Sequence, residues 1–301
     1  MQRHQLTRRQ FIERTAAIAG GLALSPLAAQ AASKKTAVDI VPLGKTGLKA
    51  CRLSFGCGTS SGRVQSHLGQ DGFTRLIRYA YDQGITHIDI ARSYETHAML
   101  AEAIKGLPRE KLFIQTKMGG VPAKPLDELD NYRKTYGVEY IDSVLVHCTT
   151  TPNWEEERKP VMDALQEAKD KQVIRAHGVS CHSLPALKRA VELDWVDIHL
   201  VRVNPQGVQM DTPAPTWNAP SDESHVTAVM EQIKLMRAKG RGIIGMKIMG
   251  EGKFVTPEDR EKSIRFAMQC GLLDCVTIGF KNTAEIDEAI QRMNNALAEM
   301  A

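Results

Sequence analysis

The sequence predicts an α/β fold of one particular kind, a closed (β/α)8 barrel of the TIM type. Short β-rich apolar runs alternate with helix-period segments along the chain, and several runs are apolar throughout, as strands covered on both faces are. Eight such units fit into 301 residues, which favours a closed barrel over an open, doubly wound sheet. No G-x-G-x-x-G follows the first strand, so the dinucleotide fingerprint of the open fold is missing.

The expected elements follow from this alternation. Strands are predicted at residues 51–56, 85–89, 111–116, 141–146, 174–179, 196–202, 242–246 and 274–278. Helices are predicted at about residues 71–83, 97–106, 125–136, 157–171, 183–193, 223–239, 257–270 and 283–299. Ser183 and Thr256 are residue types that cap helix N-termini, and Pro257 suits a first helical position.

The connection after the sixth predicted strand, residues 204–224, is long and rich in Pro, Thr and Asn. A loop of this length on the catalytic face of a barrel is usually a lid or a binding loop. Its Trp217 either anchors the loop or forms part of a ligand wall. Arg92, Trp154 and Trp217 are candidates to line a pocket, although the sequence does not tell where they point.

Composition narrows the class of function. Hydrophobic content of 43% and charged content of 25% are those of a globular protein. A net charge of +4, 5% aromatic residues and the absence of a basic–aromatic run argue against binding of nucleic acid.

The first residues have the layout of an export signal, with a charged start, a modest apolar run and a small-residue end. Arg8 and Arg9, followed by Phe11, resemble the twin-arginine motif, and Ala-Gln-Ala at 29–31 resembles a cleavage site. We therefore expect a signal at 1–31, a linker at 32–38, a barrel at 39–301, and a periplasmic location reached through the twin-arginine machinery. The alternative is an ordinary basic amphipathic N-terminus. The apolar run is too short and too weakly apolar for a stable membrane span.

The six cysteines contain no C-x-x-C pair, so iron–sulfur or zinc-ribbon spacing is absent. Most lie in apolar, strand-like runs and are interpreted as small buried hydrophobic residues. An oxidising periplasm would permit a disulfide, and this alternative stays open.

Four polar residues converge by topology on one rim of the predicted barrel. Asp89, Lys117 and His147 end the second, third and fourth strands, and Tyr94 lies in the loop after the second. Active sites of such barrels lie at the carboxyl ends of the strands. Singly, each residue has an ordinary structural interpretation as a cap, surface charge, core histidine or packing residue. Their joint placement on one rim is what favours catalysis.

The chemistry of the four residues is coherent. Tyr94 could donate a proton to a carbonyl oxygen if a neighbouring cation, Lys117, stabilised its phenolate. Asp89 would keep the buried lysine charged, and His147 could orient the substrate oxygen by a hydrogen bond. Such a set needs no metal, but it does need a hydride from a reduced nicotinamide.

Six segments together make the chain resemble the aldo-keto reductase family over nearly all of residues 40–290. They are "VPLGKTGLKACRLSFGCG", "HIDIARSYE", "FIQTK", "VEYIDSVLVHC", "VIRAHGVS" and "FKNTAEIDEA". The resemblance implies a hairpin at the start of the barrel, a catalytic tetrad of Asp89, Tyr94, Lys117 and His147 with Tyr94 as general acid, and reduction of a carbonyl.

The resemblance also implies a cofactor, NADP with NAD as the alternative, extended across the top of the barrel. The residues implied in its binding are Ser180, Cys181, Met246, Lys247, Gly279, Lys281, Asn282 and Glu285. Cys181 and Leu200 stand where the family has an asparagine and a glutamine that hold the nicotinamide amide. Lys281 could meet a 2′-phosphate, whereas Glu285 would repel one and suit a free ribose hydroxyl.

Two alternatives to an enzyme that reduces a carbonyl compound remain. Loss of the amide contacts at Cys181 and Leu200 is compatible with a non-catalytic periplasmic barrel that binds a carbonyl or sugar ligand. A zinc site could use His147, Cys148, Cys181 and His182, but adjacent residues of a strand point to opposite faces.

Overall fold

A computed structural model describes residues 34–300 of the chain. The predicted export signal, 1–31, and the start of the predicted linker lie outside these residues. The compact unit that holds the barrel begins at Lys35. Ala37 is buried, and its N–H donates to Asn294 Oδ1 at 2.7 Å, so the end of the predicted linker belongs to the folded body.

Eight parallel strands close into a barrel, as predicted. They are β3 (Leu53–Gly56), β4 (His87–Asp89), β5 (Phe113–Met118), β6 (Ile141–Thr149), β7 (Ile174–Cys181), β8 (Ile198–Arg202), β9 (Gly242–Met246) and β10 (Cys275–Ile278). Pairing of β10 with β3, for example Val276 with Leu53, closes the ring. Because all strands run the same way, their carboxyl ends share one rim.

Helices cover the outside of the barrel. The α-helices are Arg63–Ser66, Gly69–Asp82, Leu100–Ile104, Pro125–Tyr136, Trp154–Glu157, Lys159–Asp170, Leu184–Glu192, Val226–Ala238, Pro257–Gln269 and Thr283–Ala298. Both predicted caps are confirmed: Ser183 Oγ accepts from Ala186 N at 3.2 Å, and Thr256 Oγ1 accepts from Asp259 N at 3.1 Å. None of the helices within 34–300 has the length and apolarity that crossing a membrane would require.

An antiparallel hairpin, β1 (Ile40–Pro42) and β2 (Lys49–Cys51), precedes the barrel. The predicted strand 51–56 is therefore wrong at its start, since Cys51 ends the hairpin and the barrel begins at Leu53. Leu43 and Leu48 of the hairpin pack into the same apolar cluster as Leu145 of the barrel interior. The hairpin thus caps the amino end of the barrel and leaves the opposite rim for chemistry.

All six cysteines lie in the described part of the chain, and none of them is bridged. Four are buried: Cys51, Cys57, Cys181 and Cys275. These four agree with the interpretation of the cysteines as small apolar side chains.

Candidate active site

A buried ion pair forms the base of the site. Asp89 ends β4, and Lys117, on the neighbouring β5, is 1% exposed. Lys117 Nζ donates to Asp89 Oδ1 at 2.7 Å and to the Ile90 carbonyl at 2.9 Å. Gln115 Nε2 donates to the same carboxylate oxygen at 2.9 Å. Burial acts to lower the pKa of Lys117, but the Asp89 carboxylate reverses this and the pKa lies above its usual value. The lysine is therefore a fixed cation.

Tyr94 lies in the loop after β4, with its ring 5.1 Å from Lys117 Nζ. Burial raises the pKa of the Tyr94 hydroxyl and outweighs the lowering effect of Lys117. The phenol thus stays protonated at neutral pH, as a proton donor must. Gly58 makes room for it, since a Cβ at Gly58 would lie 2.7 Å from the Tyr94 hydroxyl oxygen.

His147 lies at a β-bulge, where the pairing of β6 with β7 shifts between Val146 and Thr149. The next residue, Cys148, has a φ of +58°, and bulges of this kind redirect a side chain. The His147 ring meets the Tyr94 ring edge-on, with centroids 5.8 Å apart. Burial, then the charges of Lys117, Lys247 and Arg158, lower the pKa of His147 to about 3. The imidazole is therefore neutral and can orient a substrate oxygen.

A cavity of about 680 Å³ opens beside Tyr94 and continues to the start of the helix Thr283–Ala298. Its walls come mainly from the segments after β3, β9 and β10. The residues from the sequence predictions that line it are Asp89, Tyr94, Met246, Lys247, Gly279, Lys281, Asn282 and Glu285. The other two predicted catalytic residues, Lys117 and His147, do not line the cavity but lie against the Tyr94 ring.

Three of the residues considered for the nicotinamide end do not line this cavity. Ser180 is fully buried, and its hydroxyl has no hydrogen-bond partner within residues 34–300. Cys181 packs in the core between sheet and helices and accepts from Thr149 Oγ1 at 3.4 Å. Leu200 belongs to the apolar barrel interior together with Met246. Of the three, Ser180 is the one whose side chain carries an unpaired polar atom among the described residues.

Sequence reasoning missed Glu251, which joins two loops beside the cavity. Its Oε1 accepts from the Ser60 N–H at 2.8 Å, and its Oε2 pairs with Lys247. Ser60, Ser61, Lys247 and Glu251 all have a left-handed backbone, with φ between +51° and +63°. Such strain concentrates at ligand sites. The signal available in the sequence was the run Gly-Glu-Gly at 250–252, which begins four residues after the end of the predicted barrel strand 242–246.

The three residues suggested to line a pocket, Arg92, Trp154 and Trp217, differ in their burial and contacts. Trp154 is fully buried, and its Nε1 donates to the Ala186 carbonyl at 3.2 Å, so its suggested role in the pocket is wrong. Arg92 is largely exposed and pairs with Glu128 at 3.3 Å. Trp217 is 56% exposed, and its carbonyl accepts from Arg202 Nη2 at 2.8 Å. The long loop is therefore anchored by the Trp217 backbone, which leaves the indole facing outwards.

The four residues considered as zinc ligands, His147, Cys148, Cys181 and His182, do not form a metal site. Within residues 34–300, no three His, Cys, Asp or Glu side chains are grouped so that they could hold a metal ion. His147 and His182 do approach, with ring centroids 6.3 Å apart, but Cys181 faces the helix layer. The alternation of side chains along β7 explains this separation.

Curated relatives match this chain over about half of its length. A protein of Glycine max named as an aldo-keto reductase is 32% identical over 52% of this chain and 51% of its own. The L-glyceraldehyde 3-phosphate reductase of Escherichia coli (strain K12) is 30% identical, over 50% of this chain and 48% of its own. The chain thus spans about half the length of the curated relatives it matches.

Solved structures and a family model extend the comparison to most of the chain. The holo form of an aldo-keto reductase from Bacillus halodurans superposes with a TM-score of 0.68 and 14% identity, covering 88% of this chain and 96% of that one. At that identity, the likeness concerns the fold alone. The model of the Aldo/keto reductase family matches residues 52–299. The chain therefore belongs to the aldo/keto reductase family.

Proposed function

We propose that this protein reduces the carbonyl group of an aldehyde, ketone or sugar to an alcohol with NAD(P)H, and that Tyr94 is the general acid. One observation carries the proposal. Tyr94 and Asp89 line one end of a cavity of about 680 Å³, and the Tyr94 ring contacts both Lys117, the ion-pair partner of Asp89, and the neutral His147. Relatives named as reductases of methylglyoxal and of L-glyceraldehyde 3-phosphate make small aldehydes the first substrates to test.

The cavity suits an extended dinucleotide. Met246 and Lys247 would border the nicotinamide end, and Lys281, Asn282 and Glu285 the adenosine end. The buried, unpartnered Ser180 hydroxyl is a hydrogen-bonding group that a carboxamide could satisfy. When bound, the reduced nicotinamide supplies a hydride to the carbonyl carbon of the substrate.

The chain's own residues handle the proton. As negative charge grows on the substrate oxygen, the Tyr94 hydroxyl transfers its proton to that oxygen. Lys117 then stabilises the resulting phenolate, an effect of about 3 kcal/mol for unit charges about 5 Å apart at an effective dielectric constant of about 20. Asp89 holds the ammonium in place through the 2.7 Å contact, and His147 donates a hydrogen bond to the same oxygen.

Replacement of Tyr94 by Phe tests the assignment of the proton donor. Turnover of methylglyoxal should fall by about a thousandfold, because the general acid is lost, whereas the Kd for nicotinamide nucleotide should change less than about twofold. Both are measured on the purified chain, by steady-state kinetics and by nucleotide fluorescence. Tyr81→Phe, on the helix Gly69–Asp82, is the matched control and should behave as wild type.

Two results would count against the proposal. Equal losses of turnover and nucleotide affinity in Tyr94→Phe would mean that its role is misassigned. No binding of either nucleotide by the wild type at millimolar concentration would favour the non-catalytic barrel instead.

The pH dependence of the reduction follows from the two shifted groups. Because the pKa of His147 is lowered to about 3 and that of Tyr94 is raised, neither group changes charge between about pH 5 and about pH 8. We expect kcat/KM for reduction to be flat in this window, to fall on the alkaline side as Tyr94 loses its proton, and to change on the acidic side only as the pH approaches the pKa of His147, about 3. An acidic limb near pH 6.5 that disappears in His147→Asn would show that this imidazole titrates normally.

We also propose that the protein is exported to the periplasm by the twin-arginine pathway. The support is the pair Arg8–Arg9 with Phe11, the apolar run and Ala-Gln-Ala at 29–31. On expression in a bacterium, the periplasmic fraction should contain a chain that lacks residues 1–31, as mass spectrometry can show. Arg8→Lys with Arg9→Lys should keep the full chain in the cytoplasm, whereas the control Arg3→Lys should be exported. An uncleaved cytoplasmic wild type would contradict the proposal.

A further inference from the structure

The far end of the cavity carries two cations and two carboxylates. Arg260 and Lys281 supply the positive charges, and Glu285 and Glu288 the negative ones. All four side chains line the same cavity near the start of the helix Thr283–Ala298. On the proposed function this is where the adenosine ribose of the cofactor would lie, so the balance of these charges bears on whether a 2′-phosphate is accepted.

Glu285 engages Lys281 with both carboxylate oxygens. Oε1 lies 3.2 Å from Lys281 Nζ, and Oε2 accepts from the Lys281 backbone N–H at 2.9 Å. Asn282 Oδ1 in turn accepts from the Glu285 N–H at 3.0 Å, which fixes the carboxylate at the N-terminus of the helix. Amides at helix N-termini are favourable ligands for phosphate, and here the chain's own carboxylate takes that place.

Arg260 is also paired with a carboxylate of the same helix. Its Nε pairs with Glu288 Oε1 at 2.9 Å, and its Nη1 donates to the Val255 carbonyl at 2.7 Å. Glu288 also binds Arg292 Nε at 2.8 Å, so the carboxylate is held in a network. Each of these two cations is therefore paired with a carboxylate that would also lie close to a phosphate bound there.

We infer that this site selects NADH over NADPH, with Glu285 as the main specificity-determining residue. The two hydroxyls of the adenosine ribose can donate hydrogen bonds to a carboxylate. In the open, doubly wound dinucleotide-binding fold, an acidic residue has this role at NAD sites. A 2′-phosphate would instead bring a dianion close to Glu285 and Glu288. This inference rests on the proposed function, and of the two cofactors that the family resemblance implies it favours NAD over NADP.

The test measures dissociation constants of NADH and NADPH for the purified chain by nucleotide fluorescence, without any substrate. Wild type should bind NADH more tightly. Glu285→Gln should lower the Kd for NADPH by about tenfold, the effect of removing one charge about 7 Å from a dianion in a water-like dielectric. The Kd for NADH should stay the same or rise. Glu288→Gln, which frees Arg260, should shift the ratio of the two constants in the same direction.

Asp287→Asn is the matched control. Asp287 is on the same helix, but its carboxylate accepts from the Tyr79 hydroxyl at 2.8 Å on another face, so the ratio of the two constants should not change. Thermal melting of each variant checks that the protein remains folded. Tighter binding of NADPH by wild type, or an unchanged ratio in folded Glu285→Gln, would overturn the inference. Failure of wild type to bind either nucleotide would overturn the proposed function itself.

Discussion

The Lys117 ammonium is charged although only 1% of the residue is exposed. The Asp89 carboxylate, in contact with it, offsets the cost of burying that charge. A buried pair stabilises only when its geometry is good and its other hydrogen-bonding sites are filled. Here the Ile90 carbonyl accepts a second hydrogen bond from the ammonium, and Gln115 donates to the carboxylate. The pair thus contributes a fixed positive charge beneath Tyr94 more than it contributes stability. Without that charge, the buried phenol would have nothing to stabilise its anion.

The barrel supplies the rigidity that this arrangement needs. Asp89 and Lys117 are on adjacent, paired strands, so the sheet itself sets their separation. Tyr94 is positioned by a loop that packs against Gly58, and His147 is positioned by a β-bulge. The ligand cavity is different, because much of its wall lies in loops and helices beyond the strand ends, and some of these loops are joined by side chains, as in the contact between Glu251 and Ser60. Strands therefore fix the ion pair, whereas the proposed selection of the ligand depends on residues beyond the strand ends, among them Glu285 and Glu288 of the helix Thr283–Ala298.

Much of the fold and of the catalytic set could be predicted from the sequence. Apolar alternation is a property of the strands themselves, so residues 242–246 were predicted with the correct ends, and Ser183 and Thr256 cap their helices through contacts three residues away. Contacts between distant segments could not be predicted in this way. Glu251 meets Ser60 across 191 positions, and Trp154 is buried against Ala186 rather than facing the pocket. The direction of a side chain beyond a strand end depends on the loop that carries it.

A double-mutant cycle of Lys117→Met and Asp89→Asn tests most directly whether the ion pair acts as one unit on Tyr94. The kcat/KM for reduction of methylglyoxal is measured for both single variants and the double variant, together with their thermal stability. Each single variant should lose about a hundredfold, as expected for about 3 kcal/mol, and the double variant should lose no more than the worse single one. Losses that multiply in the double variant would show that the two residues act independently and would contradict this account.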